Sequence, residues 1–311
     1  MITVNASARY AVSVNICPAE IRTSLIDLSG EIKDEISLKT EFSTDANYGI
    51  KVAELAYNVI RANHISEDNL LGVGITMPGV FNSDNSMLIF SPPLKVKNYK
   101  TDNITRYIKY NYIVQNDARA GAFADYWYAH KNENALKEED LEEKLYLMVS
   151  DGVGGAGVSN NTIKKGEHNR YGEFGHMTLY PGGKKCMCGR NGCLESYLST
   201  KNISTDIGLT LDEFFEKLSD NDEECKHIFD EYLDNLTTGI NNLYVIFDMD
   251  VVIGGVMARY LPAYEEDIRN RLISKFSFDT DAGYFSLSKC TAKRADTGAA
   301  IMFLTEYINS I

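Results

Sequence analysis

The chain has 311 residues, of which 44% are hydrophobic and 24% charged, and its formal net charge is −13 at pH 7. That length is enough for two globular domains of ordinary size, and the acidic balance without clustered lysine and arginine excludes DNA binding by these residues themselves. Apolar runs stay well short of the roughly 18 residues that a membrane span needs, and the first residues do not resemble a secretory signal.

The first 130 residues show strand patterns followed by helical ones. Alternating apolar residues, with turn signals at Cys17-Pro18 and Ser29-Gly30, predict a three-stranded meander. Its strands are expected over 10–16, 21–28 and 31–38. A helix over 47–63, a buried strand over 70–76, a short strand over 112–115 and a helix over 118–130 are predicted to follow.

A similar order of elements is predicted for the second half. Residues 131–144 are predicted to form a solvated connector on the hinge side, because the segment contains six acidic residues: Glu133, Glu138, Glu139, Asp140, Glu142 and Glu143. A strand over 145–150, a glycine-rich turn over 152–157 and a return strand from Val158 are predicted next. Helices over 227–247 and 258–274 flank a strand over 251–253, and the last helix begins near Asp296, capped by Asp296 or Thr297. The pattern predicts two copies of one topology with a cleft between them.

Three of the six cysteines fall within eight residues, and a histidine lies ten residues before the first of them. The four side chains are His176, Cys186, Cys188 and Cys193. Their spacing, with glycines at 189 and 192 to turn the backbone, allows them to converge on one tetrahedral ion. Zinc suits three thiolates and one imidazole, and a full set of four protein ligands indicates a structural ion. The alternative is a group of reduced surface thiols or a redox pair.

A metal cluster without an export signal predicts the cytoplasm as the compartment. The remaining cysteines, Cys17, Cys225 and Cys290, are scattered and are interpreted as small apolar side chains.

The same stretch carries a family resemblance. Gly172-Glu173-Phe174-Gly175-His176, followed ten residues on by Cys-x-Cys-Gly-x-x-Gly-Cys-Leu-Glu ending at Glu195, resembles the signature of the ROK family of repressors, uncharacterised reading frames and sugar kinases. With the element order, it implies an α/β fold of two ribonuclease-H-like lobes, of the actin and sugar-kinase type, with a cleft between them. The first lobe is expected over 1–130, with the C-terminal helix 296–311 able to pack back on it. The second is expected over 131–311, with a zinc-binding insertion at 172–195.

Asn116-Asp117 directly follows a predicted strand, where ligands bind in folds of this kind. An amide beside a carboxylate can pair with neighbouring sugar hydroxyls. In ROK sugar kinases the aspartate that matches Asp117 is the general base for the hydroxyl being phosphorylated. Local sequence leaves a second interpretation open, in which the pair caps the helix that begins at Ala118.

The resemblance implies further sugar contacts from Glu173, His176, Glu195 and the backbone at Gly79. His176 would place one ring nitrogen on zinc and the other toward a sugar hydroxyl or a supporting partner. The alternatives are helix-end charges for the two glutamates and an ordinary turn for Gly79. Where many ROK proteins have Pro-Asn-Leu, this chain has Pro92-Pro93-Leu94, which leaves the identity of the sugar open.

The phosphate-binding loops of ROK kinases are altered here. Their opening hairpin, Asp-x-Gly-Gly-Thr, is replaced by Asn15-Ile16-Cys17-Pro18-Ala19-Glu20, in which Pro18 lacks a backbone donor and Glu20 adds negative charge. Their second loop, Gly-Thr-Gly, aligns with Asp151-Gly152-Val153. Each carboxylate near 4 Å from a phosphate would cost about 1–4 kcal/mol. Both changes argue against Mg-ATP binding.

These departures resemble the xylose- and glucose-type regulators of the family. We therefore expect a sugar-sensing effector domain that binds a small-molecule sugar between its lobes, assembles as a dimer or tetramer, and contacts DNA only through a domain preceding Met1. Residues 3–10 resemble the link that follows the winged helix-turn-helix of those regulators. Two alternatives remain: a sugar kinase that uses Mg-ATP and Asp117 as base on a hexose or amino sugar, and a scaffold that keeps the zinc and the dimer surface without a ligand.

Overall fold

The structure is a computed structural model that describes residues 5–131, 143–159, 162–276, 278 and 280–310. The chain forms two compact units. Unit 1 consists of residues 1–135, 161–170 and 290–311, and unit 2 consists of residues 136–160 and 171–289. Most of the acidic connector predicted over 131–144, and the first residues of the predicted link over 3–10, lie outside the described residues.

The strands are β1 (Tyr10–Ile16), β2 (Glu20–Asp27), β3 (Ile32–Lys39), β4 (Leu70–Met77), β5 (Val80–Phe81), β6 (Met87–Ser91), β7 (Val96–Lys100), β8 (Tyr112–Asn116), β9 (Lys144–Val149), β10 (Val153–Ser159), β11 (Thr162–Ile163), β12 (Asp250–Gly254) and β13 (Phe285–Leu287). The α-helices are α1 (Ala46–Ala62), α2 (Asp102–Thr105), α3 (Asp117–His130), α4 (Glu195–Leu198), α5 (Leu211–Ser219), α6 (Glu223–Phe247), α7 (Glu265–Lys275), α8 (Ala292–Ala295) and α9 (Gly298–Asn309).

The main sheet of unit 1 has the order β3-β2-β1-β4-β8. Strands β1 to β3 form the predicted antiparallel meander, and β4 and β8 continue the sheet in parallel. The apolar stripe of α1, with Val52, Ala56 and Val59 fully buried, packs against the meander. Helix α9 packs against β4, where a Cβ on Gly74 would lie 2.4 Å from the backbone of Ala299. The absence of a side chain there allows the helix to approach the sheet closely.

The main sheet of unit 2 contains the strands β10, β9, β12 and β13 in that order. Strand β10 is antiparallel to β9, and β12 is parallel to both β9 and β13. A core of buried side chains, including Leu147, Leu236 and Ile253, joins this sheet to α6. Helix α6 begins after Asp222, whose carboxylate accepts hydrogen bonds from two backbone amides of the first turn. The order and directions of β10, β9, β12 and β13 match those of β2, β1, β4 and β8 in unit 1.

The predicted glycine-rich turn over 152–157 is wrong, because the strand β10 already begins at Val153. A Cβ on Gly155 would lie 2.3 Å from the Phe174 ring, and one on Gly157 would lie 2.6 Å from the Tyr171 ring. These glycines make room for aromatic rings on a strand, and do not form a turn.

The predicted helix over 258–274 is wrong in its first half. Short 3-10 turns cover Val256–Arg259 and Leu261–Tyr264, and α7 begins only at Glu265. Pro262 lies in the second turn, where its missing amide hydrogen and its ring interrupt a continuous helix.

A small antiparallel sheet with the order β5-β6-β7 was not predicted. It follows Gly79 in unit 1 and belongs to the same core as β4 and α1. Of the helices that the structure describes, none has the length and apolar character required to span a bilayer.

Candidate functional site

Three of the predicted sugar contacts lie together in unit 1. Asn116 ends β8 and caps α3, since its Oδ1 accepts a hydrogen bond from the Arg119 amide at 2.9 Å. Its Nδ2 donates to the carbonyl oxygen of Gly79 at 2.9 Å. The cap interpretation therefore holds for Asn116, and the same side chain also ties the turn after β4 to the start of α3.

Asp117 is exposed at the first position of α3. Its Oδ1 accepts from the Ala118 amide at 2.9 Å and lies 3.2 Å from Asn116 Nδ2. Gly79 has φ +125°, and a Cβ there would lie 2.5 Å from the Phe90 carbonyl oxygen. Glycine at position 79 is thus required for the close approach of the turn to β6.

The altered opening hairpin of unit 1 closes on the C-terminal segment of the same unit. Asn15 is buried, and its Nδ2 donates to the carbonyl oxygen of Asp296 at 2.8 Å. Arg22, opposite Asn15 across the hairpin, pairs with the Asp296 carboxylate through Nε at 2.8 Å and Nη2 at 3.1 Å. Glu20 lies 3.7 Å from the same guanidinium.

No role was predicted from the sequence for Arg22, and Asp296 was predicted only as a candidate cap of the last helix, whose N-cap position is occupied by Thr297. The two residues are 274 positions apart, and no local pattern joins them. The charge of Arg22 beside the altered hairpin was the only available signal.

The predicted metal ligands lie together in unit 2. One ligand atom from each of His176, Cys186, Cys188 and Cys193 lies within 4.8 Å of the others. Cys188 Sγ and Cys193 Sγ are 3.7 Å apart, and Cys186 Sγ is 3.9 Å from His176 Nδ1. Two sulfurs each about 2.3 Å from a tetrahedral ion would lie about 3.8 Å apart. The donor set and its spacing therefore fit a metal ion, and none of the six cysteines, all within the described ranges, forms a disulfide.

The backbone around these ligands is held by tight turns. The Cys186 amide donates to the Arg190 carbonyl oxygen at 2.8 Å, and the Gly189 amide donates to the Cys186 carbonyl oxygen at 3.0 Å. Gly192 has φ +80°, and a Cβ there would lie 1.7 Å from the Tyr180 carbonyl oxygen. The glycines that the sequence pattern singled out are thus needed to bring the cysteines together.

Burial raises the pKa of the Cys186 thiol to about 12, and the nearby Glu195 carboxylate adds to the effect. A metal ion would reverse this preference, because it binds the thiolate and displaces the proton. A thiol that resists ionisation in the free protein is therefore compatible with a metal ligand.

Glu195 connects the metal cluster to the first residue of β10. Its Oε2 accepts from the Val153 amide at 3.0 Å, and its Oε1 lies 3.5 Å from Cys186 Sγ. The structure therefore brings Glu195 and His176 together through Cys186. Glu173 is half-buried and directly precedes a 3-10 turn that contains His176.

The altered second loop is held by contacts within unit 2. Thr200 Oγ1 donates to Asp151 Oδ1 at 2.7 Å, and Ser199 Oγ donates to the Asp151 carbonyl at 2.8 Å. The Val153 amide of the same loop is bonded to Glu195.

Comparison with known proteins places the chain among relatives of two kinds. The family model described as "ROK family" matches residues 11–306. A glucokinase of Halalkalibacterium halodurans is 27% identical over 64% of this chain and 59% of its own length. A xylose repressor of Bacillus subtilis is 31% identical over 65% of this chain and 51% of its own length. The match thus spans between half and three-fifths of each of these two relatives.

A solved structure shows the same fold. The ROK hexokinase of Thermus thermophilus superposes with a TM-score of 0.77 at 22% identity, covering 96% of this chain and 99% of that one. The chain therefore has an α/β fold of the actin and sugar-kinase type, with two mixed sheets.

Proposed function

Because the chain belongs to the ROK family, as the match over residues 11–306 shows, we propose that it is the sugar-binding effector domain of a ROK transcriptional regulator. Its similarity to a glucokinase and to a xylose repressor points to a small-molecule sugar ligand in either case. The question that separates the two classes is whether the chain also binds ATP.

The Arg22–Asp296 pair is the observation that carries the proposal. It joins the altered hairpin to the C-terminal segment, with Asn15 bonded to the same segment at 2.8 Å. In a kinase the matching hairpin holds the phosphates with backbone amides and an aspartate that helps to bind the metal. Here the corresponding amide side chain is already bonded inside the protein, and Glu20 and Asp296 contribute acid. Each charge opposes a polyphosphate.

The second altered loop supports the same conclusion. Asp151 is bonded to Thr200, and the Val153 amide is bonded to Glu195. A phosphate at this loop would have to displace Glu195 and approach Asp151, and both steps are unfavourable for an anion.

In this proposal the sugar is contacted by Gly79, Asn116, Asp117, Glu173, His176 and Glu195. An ionised carboxylate accepts hydrogen bonds from sugar hydroxyls, and the Asn116 amide can both donate and accept. Zinc is the proposed ion of the cysteine cluster, where His176, Cys186, Cys188 and Cys193 would hold it and stabilise the loop. Its proposed role is structural, because four protein ligands leave no position for water.

We propose further that the domain works as a dimer or tetramer and that DNA is contacted by a part outside these 311 residues. The net charge of −13 supports this division, since the chain itself would repel phosphates. Binding of the sugar would then shift a conformational equilibrium that the DNA-binding part senses.

A sugar kinase is the second candidate. The placement of Asp117 at the start of α3, directly after β8, favours it, because a general base is needed there. Mg-ATP would be the donor and a hexose or amino sugar the acceptor.

Thermal unfolding with a panel of hexoses, pentoses and N-acetylated amino sugars, each with and without Mg-ATP, tests the proposal. A ligand that binds only the folded state raises its stability by mass action. We expect one sugar to raise the melting temperature and Mg-ATP to leave it unchanged. Stabilisation by Mg-ATP would favour the kinase, and no response to any sugar would favour a scaffold without ligand.

A further inference from the structure

We infer that the buried pair Arg119–Asn169 is a positioning element for the sugar contacts of unit 1. Through it, sugar affinity would depend on the segment 162–170, to which no sugar contact is assigned. The inference rests on the proposed sugar-binding function. It concerns residues of unit 1 alone.

A chain of hydrogen bonds leads away from the proposed sugar contacts. Asn116 donates to the Gly79 carbonyl and accepts from the Arg119 amide, each at 2.9 Å. The Arg119 guanidinium then donates to Asn169 through Nη1 to Oδ1 at 2.6 Å and through Nη2 to the backbone oxygen at 3.0 Å. The start of α3 is thereby attached to the segment 162–170.

The hydrogen bonds that Asn169 donates close this chain into a ring. Asn169 Nδ2 donates to the carbonyl oxygen of Asn82 at 2.7 Å and to that of Phe81 at 3.3 Å. Phe81 ends β5, which starts at the residue after Gly79. The ring therefore runs from Gly79 through Asn116, Arg119 and Asn169 and returns to Gly79 along β5.

The ring is a built feature of the core. Arg119 is 4% exposed and Asn169 is 2% exposed, although they lie 50 residues apart in the chain. Burying a guanidinium and an amide is costly unless their hydrogen bonds are made, and a satisfied network of this kind holds one arrangement. Asn169 also has φ +54°, a conformation that asparagine tolerates better than most residues.

The Gly79 turn and the Asn116 cap both carry proposed sugar contacts, and both belong to this ring. We therefore assign the ring a role in sugar binding in addition to its role in stability. One hydrogen bond joins the Asn116 side chain directly to the Gly79 carbonyl, and Asn169 connects the same two segments indirectly. Binding sites lose affinity when supporting contacts are loosened, even if the contacting residues remain. Arg119 and Asn169 would then act through Asn116 and Gly79.

The test is Asn169→Gly, measured by calorimetry with the sugar that stabilises the wild type. Glycine accepts the left-handed backbone, so the change removes the side-chain bonds and keeps the turn. We expect the Kd to rise about tenfold or more. The matched control is Asn98→Gly, an exposed asparagine with φ +51° outside the ring, for which we expect a change below about twofold.

A double-mutant cycle separates positioning from general destabilisation. If Asn169 acts through Asn116, then Asn169→Gly should weaken binding much less in an Asn116→Ala background than in the wild type. Additive effects in the cycle would overturn the inference. Should Asn169→Gly fail to fold, Arg119→Lys keeps the charge and removes the two-point contact with Asn169, and its expected effect on Kd has the same direction.

Different results would contradict the proposed function and the positioning role of Arg119–Asn169. If the wild type binds no sugar of the panel, the proposed function fails and the inference with it. If the wild type binds a sugar and folded Asn169→Gly binds it equally well, only the inference is wrong.

Discussion

Asp296 is the side chain whose partner matters most for the choice between an effector domain and a kinase. It is largely buried, and burial raises the pKa of its carboxyl, while the charge of Arg22 offsets only part of that rise. The pair joins the altered hairpin to the C-terminal segment. A carboxylate held at this position opposes the approach of an anionic nucleotide.

Arg22→Ala tests the strength of that pair. The change leaves the Asp296 carboxylate without its cation, and we expect a loss of about 1–2 kcal/mol of unfolding free energy at neutral pH, moderated by the partial exposure of Arg22. The raised pKa of Asp296 means that the folded chain keeps this proton to higher pH than the unfolded chain. The loss should therefore shrink as the pH falls through the raised pKa of Asp296, because the folded carboxyl is then protonated and no longer pairs with Arg22 as a charge.

Urea unfolding of wild type and variant between neutral and acidic pH measures both effects. Arg22→Ala combined with Asp296→Asn should recover part of the stability, because no buried charge is left unpaired. Equal stability of Arg22→Ala and wild type at all pH values would show that the pair is unimportant.

Cys188→Ser tests the link between the metal cluster and the sugar. Removing one of four ligands should release the proposed zinc, measured by a colorimetric chelator, and should raise the Kd for the sugar, because His176 and Glu195 both adjoin Cys186. Cys290→Ser is the control, since Cys290 lies outside the cluster in the sequence and in the structure. Loss of metal without any change in sugar affinity would break the link.

At the scale of elements, the metal loop depends on turns with positive φ, which glycine adopts with the least strain. Gly182 and Gly192 both have positive φ, at +74° and +80°. They differ in their surroundings, because a Cβ on Gly182 meets no atom within 4 Å, whereas one on Gly192 would lie 1.7 Å from the Tyr180 carbonyl oxygen. A side chain at either position would strain the backbone, but only a side chain at position 192 would also clash with a neighbouring atom.

Gly192→Ala and Gly182→Ala therefore form a matched pair. Both should cost the strain of a left-handed alanine, about 1 kcal/mol. Gly192→Ala should cost a further 1–3 kcal/mol, roughly the penalty for overpacking, and should speed the loss of zinc to a chelator. Equal stability and equal chelation rates for the two variants would contradict the role given to Gly192.

Elements with a regular apolar pattern could be predicted from the sequence. The meander β1–β3, the helix α1 and the long helix α6 lie close to their predicted ranges, because burial on one face imposes a period that is visible locally. The short strands β5 to β7 have too few residues for a period. Strand β10 was mistaken for a turn because its glycines accommodate rings that arrive from later in the chain.

Part of the candidate site could also be predicted from the sequence, and part of it could not. The metal ligands could be predicted because they are crowded into one stretch, and the structure places their donor atoms together. The pairs Arg22–Asp296 and Arg119–Asn169 could not, since their partners are 274 and 50 residues apart. Contacts at such separations depend on the fold and leave no local pattern.

At the scale of the whole molecule, the two sheets share the order of their central strands, and the family match covers nearly the whole chain. Fold and family are common to sugar kinases and to repressors, so neither can decide the function. The decision depends on whether the two altered loops still accept a nucleotide.

Release of ADP from Mg-ATP in the presence of the stabilising sugar is the most direct measurement of that point. We expect the sugar to raise the melting temperature and ADP to appear no faster than in buffer. Sugar-dependent ADP release at an ordinary kinase turnover of about 1–100 per second, abolished by Asp117→Asn, would contradict it.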